Sequence, residues 1–160
     1  MDILWSPWRY SYIKSEEKPV HDCVFCGIAN SPADDEANFV LHRAGRNFVI
    51  LNIYPYISGH LMVVPYRHLS LLSSSTDEES VEHFDLVKKA EKVIGEVYQP
   101  DGINIGMNLG KAAGAGVAGH FHAHVLPRWV GDANFMTAIG QTRTIPEALT
   151  DTFDKLKGRF

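Results

Sequence analysis

Gly119-His120-Phe121-His122-Ala123-His124-Val125-Leu126-Pro127-Arg128-Trp129 sets three histidines at alternate positions, with apolar residues between and after them. A β-strand has a side-chain period of two. The stretch therefore predicts a strand with all three imidazoles on one face and Phe121, Ala123 and Val125 on the other. Neighbouring imidazoles would stand roughly 7 Å apart, two steps of about 3.3 Å. A helix would scatter them around its axis. The apolar face needs a core to pack on, which turns the histidine face toward a cleft. Two chemistries suit such a row. His-x-His on a strand can hold a zinc ion, and an imidazole flanked by two others can act on phosphate, because each gains or loses charge near neutral pH.

Directly upstream, Gly106, Gly110, Gly114, Gly116 and Gly119 cluster before the histidines, the last four of them in a loop over 109–119. Glycines let successive backbone N–H groups turn toward a common point and cradle phosphate oxygens. The loop is not a nucleotide loop of the Walker type. Three residues separate Gly106 from Gly110, and Ala112 stands where Ser or Thr should hold magnesium. The sequence requires neither magnesium nor an organic cofactor.

Further upstream, Phe39–His42 and 47–52 read as strands joined at Ala44-Gly45, and 60–65 as a third strand buried on both faces. Thr76-Asp77-Glu78-Glu79 is a capping box that opens a helix to about Tyr98, with Val81, Phe84, Val87, Ile94 and Val97 as its apolar side. Residues 103–108 alternate as a fourth strand, and the histidine stretch is the fifth. Pro146 and Glu147 open a short C-terminal helix through about Leu156. Strands, a helix and further strands give an α+β domain, a five-stranded antiparallel sheet with its helices on one side. Residues 1–20 form an aromatic N-terminal arm and 21–160 a single domain.

A formal net charge of -4 without a basic run argues against nucleic acid as a partner. No apolar run approaches the ~18 residues of a membrane span, and Trp5, Pro7, Trp8 and Arg9 interrupt any signal peptide, so a cytoplasmic location is expected. Cys23 and Cys26 form a Cys-x-x-Cys, in a reducing compartment half a metal site or a redox pair. Two further ligands must come from elsewhere in the chain.

His120-x-His122-x-His124 followed by two apolar residues resembles the signature of the histidine triad (HIT) superfamily of nucleotide hydrolases and transferases, and the resemblance runs from Cys23 to about Asn134. Three flanking segments, 4–9, 113–116 and 127–135, are similar to the branch of bacterial diadenosine tetraphosphate phosphorylases. The resemblance implies a homodimer whose two sheets join edge to edge, and adenine nucleotides as substrates. It implies that His122 attacks an α-phosphorus to form a nucleotidyl-histidine, with His120 and His124 in support, and that inorganic phosphate accepts the nucleotide. Asn52 and Ile53 would contact the nucleoside, and Asn108, Gly114, Ala115, Gly116 and His124 the phosphates or ribose. Many triad proteins carry Gln and Ser or Thr before the first histidine. Here Ala115, Gly116 and Val117 leave only backbone amides. Zinc-containing relatives imply a structural zinc on Cys23, Cys26, His68 and His120. His60 is the rival to His68, since Gly59-His60 opens the third strand, although the resemblance implies that this histidine sits near the active-site cluster. The remaining histidines, His21, His42 and His83, read as ordinary. A phosphoramidate or dinucleoside polyphosphate hydrolase, a nucleotide sensor without turnover and a plain zinc module are the rival readings.

Overall fold

The computed structural model describes residues 23–133 and 145–160. The predicted arm, His21 and the Asn134-Phe135 end of the flanking motif lie outside them.

The sheet is built from β1 (Val40–Arg43), β2 (Asn47–Leu51), β3 (Leu61–Pro65), β4 (Gly102–Met107) and β5 (Ala123–Arg128), in the order β1-β2-β3-β5-β4. Every neighbouring pair is antiparallel. The histidine strand therefore lies inside the sheet. Met62 of β3 and Gly106 of β4 stand opposite His124 on its two sides. β3 is buried at every position, as its unbroken apolar run predicts, and Pro65 falls at its last residue.

The long helix α2 (Asp77–Tyr98) begins with the predicted box. Thr76 Oγ1 accepts from the Glu79 N–H at 3.3 Å, and Glu79 Oε2 accepts from the Thr76 N–H at 2.8 Å. Its buried side differs from the predicted one. Val87 and Ile94 are buried, but Val81 and Phe84 are 63% and 48% exposed, while Glu79, His83, Leu86, Ala90 and Val93 face inward. At 3.6 residues per turn Val81 lies roughly 180° from Ala90, so an apolar residue alone did not give the phase. His83, read as ordinary, is buried with its Nδ1 3.0 Å from Asn47 Oδ1.

One face of the sheet packs Val49, Leu51, Leu61, Val63, Ala123 and Val125 against α2 and the C-terminal helix α3 (Leu149–Leu156), which starts later than Pro146. Each Val or Leu side chain among them contributes about 1.5–3 kcal/mol on burial. The other face carries a second cluster of Phe48, Ile50, Met62 and Val64 with Phe25 and Cys23. Phe25 belongs to a six-residue helix, α1 (Val24–Ala29), so helices cover both faces and not one. The Cys-x-x-Cys spans the start of this helix, with Cys23 at its cap and Cys26 within it. Six residues are too few to hold a helix unaided. Arg43 fastens its end, donating to the Ile28 and Ala29 carbonyls and to both oxygens of Asp35.

Candidate active site and metal centre

The regular strand begins only at Ala123, so His120 and His122 sit on its lead-in. Phe25 nevertheless lies against the rings of both, with centroids 5.5 and 5.0 Å away, which puts them under α1 on one side. The His122 and His124 rings meet edge-on at 4.7 Å, closer than an ideal strand would set them. Exposure rises along the row, 0% at His120, 4% at His122 and 8% at His124.

His122 Nδ1 is 3.0 Å from the His120 carbonyl oxygen. A carbonyl only accepts, so Nδ1 carries the proton and Nε2 keeps its lone pair. Burial holds His122 below the usual imidazole range, an effect partly offset by this hydrogen bond. At neutral pH the ring is uncharged and nucleophilic at Nε2.

The His120 side chain turns to a different task. Its Nε2 donates to the Pro65 carbonyl at 2.8 Å, and its Nδ1 lies 3.4 Å from Cys23 Sγ and 3.6 Å from Cys26 Sγ. His68 Nδ1 stands 3.3 Å from Cys26 Sγ. Gly119 permits this approach, because a Cβ there would meet His68 Nε2 at 3.1 Å. The four donor atoms of Cys23, Cys26, His68 and His120 all lie within 4.8 Å of one another. Tetrahedral zinc with Zn–S of about 2.3 Å and Zn–N of about 2.0 Å would separate sulfur from nitrogen by roughly 3.5 Å. The observed sulfur–nitrogen separations match that edge, so the cluster fits a four-coordinate zinc with no open position.

His60 belongs to the opposite end of the row. Its Nε2 is 2.9 Å from His124 Nδ1, and its Nδ1 accepts from the Tyr56 N–H at 3.1 Å. Burial lowers His60 to about 3, with His124 and His122 adding to the effect, and lowers His124 to about 4. Both are neutral at pH 7. Among the described residues, the ring nitrogens of His122 and His124 that make no hydrogen bond are the two Nε2 atoms, which are left for a ligand.

Asn52 follows β2 and lies beside His60, its Nδ2 3.4 Å from His60 Nδ1, with Ile53 exposed next to it. Asn108 links β4 to the glycine loop. In that loop Gly110 and Gly114 adopt φ of 83° and 87°, values that favour glycine, around a single 3-10 turn at Lys111–Ala113. The Ala115 N–H is directed to the Gly110 carbonyl, and Gly116 is exposed. Sequence reasoning missed Phe25, the lid over His120 and His122, and the Tyr56 amide; nothing local marks either residue. For His60 the signal was the family resemblance, which implies a histidine near the active-site cluster at this position.

Three alternate histidines, the first shared with a Cys2His2 cluster and the last paired with His60, define a histidine triad protein. The HIT domain matches residues 34–130, and the chain belongs to the HIT family. It is 45% identical to the AP-4-A phosphorylase of Mycobacterium tuberculosis, over 93% of this chain and 79% of that protein. A zinc-bound histidine triad family protein from Mycobacterium smegmatis superposes with a TM-score of 0.69 at 28% identity, covering 87% of this chain and 93% of that one. A HIT family member from Bacillus subtilis superposes with a TM-score of 0.62 at 30% identity, over 69% and 75% of the two chains.

Proposed function

We propose that the protein is a nucleotidyl-transferring enzyme that cleaves dinucleoside polyphosphates such as diadenosine tetraphosphate, with His122 as nucleophile and inorganic phosphate as acceptor. The observation that carries the reading is the 3.0 Å bond from His122 Nδ1 to the His120 carbonyl, which leaves Nε2 bare. The likeness to the M. tuberculosis phosphorylase supports the choice of substrate. In the first step the Nε2 lone pair forms a bond to the α-phosphorus and the bond to the departing ATP breaks. In the second, a phosphate oxygen takes the nucleotide from Nε2 and ADP leaves. The His124 ring and the backbone at Gly116 stabilise charge on the phosphoryl oxygens, the Gly114 and Ala115 N–H groups close the loop on the Lys111 and Gly110 carbonyls and so shape it, and Asn52, Ile53 and Asn108 hold the nucleoside and ribose.

Cys23, Cys26, His68 and His120 hold a structural zinc, which ties α1 to the residue whose carbonyl orients the nucleophile. The protein works as a homodimer. β4 is one of the two edge strands, with Ile105 exposed on it, and a second copy continues the sheet there. No described helix is long and apolar enough to cross a membrane.

Incubation with diadenosine tetraphosphate, with and without inorganic phosphate, tests the reading. ADP plus ATP formed only with phosphate bears it out. AMP plus ATP regardless of phosphate makes the protein a hydrolase, and no product overturns the proposal.

A further inference from the structure

Cys23 and Cys26 are the two cysteines of the chain, and they are not bridged. Cys23 is the N-cap of α1, and Cys26 lies in its first turn. The Gly27 N–H donates to the Cys23 carbonyl at 3.0 Å, so the backbone between the cysteines is a closed helical turn. Across such a turn, Cα atoms three residues apart stand roughly 5 Å from each other, inside the span that a disulfide bridges. The sulfurs already converge. Both lie against one nitrogen, His120 Nδ1, at 3.4 and 3.6 Å, and the four donor atoms of the metal centre fall within 4.8 Å of one another. Rotation of the two side chains is enough to join the sulfurs, without backbone movement. The two differ in access. Cys23 is buried in the second apolar cluster, while Cys26 is only half-buried.

We propose that Cys23 and Cys26 form an oxidation site: a peroxide closes them into a reversible disulfide, which opens the metal centre and unfastens the histidine that orients the nucleophile. The inference rests on the zinc site and the His122 role given above. The Cys26 sulfur, the more accessible one, gives an electron pair to a peroxide oxygen; the O–O bond breaks, hydroxide departs and a sulfenic acid is left. The Cys23 sulfur then bonds to the Cys26 sulfur and expels a second hydroxide. Two electrons leave the pair, and one hydrogen peroxide becomes two waters with protons from solvent. Disulfide sulfurs are no longer thiolate ligands, so His68 and His120 remain, two of the four that a closed site requires. The effect reaches His122 along short contacts. The His120 ring keeps only its Nε2 bond to the Pro65 carbonyl at 2.8 Å. Phe25 of α1, packed against His120 and His122 at 5.5 and 5.0 Å, loses the metal tie beside it. The His120 carbonyl that accepts from His122 Nδ1 lies on the segment so freed. Arg43 still holds the far end of α1, and the cluster under α2 and α3 contains neither cysteine, so the body of the fold stands.

The test treats the intact, zinc-loaded protein with a few equivalents of hydrogen peroxide. Its mass should fall by that of two hydrogens, with no cross-linked chains on a non-reducing gel. A chromogenic chelator should collect the zinc in step with the loss of thiols, and dithiothreitol with zinc should restore the starting protein. Circular dichroism should keep its helix and sheet signal. Masses that rise by whole oxygens without a bridge, zinc retained through the oxidation, or collapse of the fold each overturn the proposal. A protein that binds no zinc before oxidation refutes the zinc reading, and this inference with it. With 15N-labelled histidine, NMR should show His122 protonated at Nδ1 before oxidation and divided between its two tautomers afterwards. An unchanged His122 overturns the link to the nucleophile, and this readout holds even if diadenosine tetraphosphate is not a substrate. Turnover of that nucleotide should drop by about a hundredfold, the cost of a misplacement near 1 Å, and return on reduction with zinc. Full turnover in the oxidised, zinc-free protein overturns the link as well.

Discussion

The two faces of the sheet are equally buried but treat their polar atoms differently. On the helix face Ala123 and Val125 vanish into an apolar cluster under α2 and α3. On the other face the residues that alternate with them, His122 and His124, are nearly as inaccessible. There each ring is held at Nδ1, and the two Nε2 atoms are left for a ligand. The helix face also has a bare imidazole nitrogen, Nε2 of His83, but it is sealed in with no hydrogen-bond partner among the described residues. Burial alone does not make a site. What separates the faces is whether the free nitrogen can be reached by a substrate.

The largest expected effect is at the centre of the histidine face. His122→Asn removes the nucleophile and should lower turnover of diadenosine tetraphosphate by about 10⁴-fold or more, as for other essential nucleophiles. Nucleotide affinity by calorimetry should stay within about tenfold. Retained turnover would sink the proposed mechanism. The next effect concerns what holds this face together. Cys23→Ser with Cys26→Ser leaves two ligands, so elemental analysis should find less than one zinc per chain. Stability should drop by several kcal/mol, of the order expected for a structural ion. Full zinc occupancy in the double variant would refute the ligand set.

These two variants could be drawn up from the sequence because their residues are marked by local pattern. Three histidines at period two, a Cys-x-x-Cys and a capping box are each visible within a few positions. The strands were legible for the same reason. The pairings were not. Cys23 meets His120 across 97 residues of chain, and His60 meets His124 across 64, because the fold inserts β5 between β3 and β4. Separations of that length are set by topology, and periodicity does not carry them. The HIT resemblance implied His68 as a ligand and His60 near the active site, while the Gly59-His60 strand start made His60 a rival ligand; geometry sets one beside Cys26 and the other beside His124. The buried side of α2 was misread at Val81 and Phe84, where apolar identity outweighed helical phase. The burial of His83 had no signal at all, since a single histidine on a helix is ordinarily polar surface.

The helix face answers to packing. Leu61→Ala empties a fully buried position opposite Val125 and should cost about 2–5 kcal/mol in urea unfolding. The turnover per folded molecule should not move, because Leu61 points away from the histidine row. A loss of turnover larger than the loss of folded protein would show that the two faces are mechanically coupled.

The smallest effect comes from the sealed imidazole. Burial first, and His122 next, lower His83 from 6.5 to about 4. Between those values the unfolded chain binds the proton and the folded chain does not. The stability tied to a neutral His83 is therefore complete above pH 6.5 and is lost as pH falls toward 4. His60, buried on the other face and lowered to about 3, adds to the same decline. His83→Gln cannot titrate, so its unfolding free energy should fall less steeply than that of the wild type between pH 7 and pH 4.5. His60→Gln should flatten the same stretch. If His83→Gln leaves the slope unaltered, the helix-face nitrogen is less isolated than its lack of a partner indicates, and the contrast between the two faces narrows to chemistry alone.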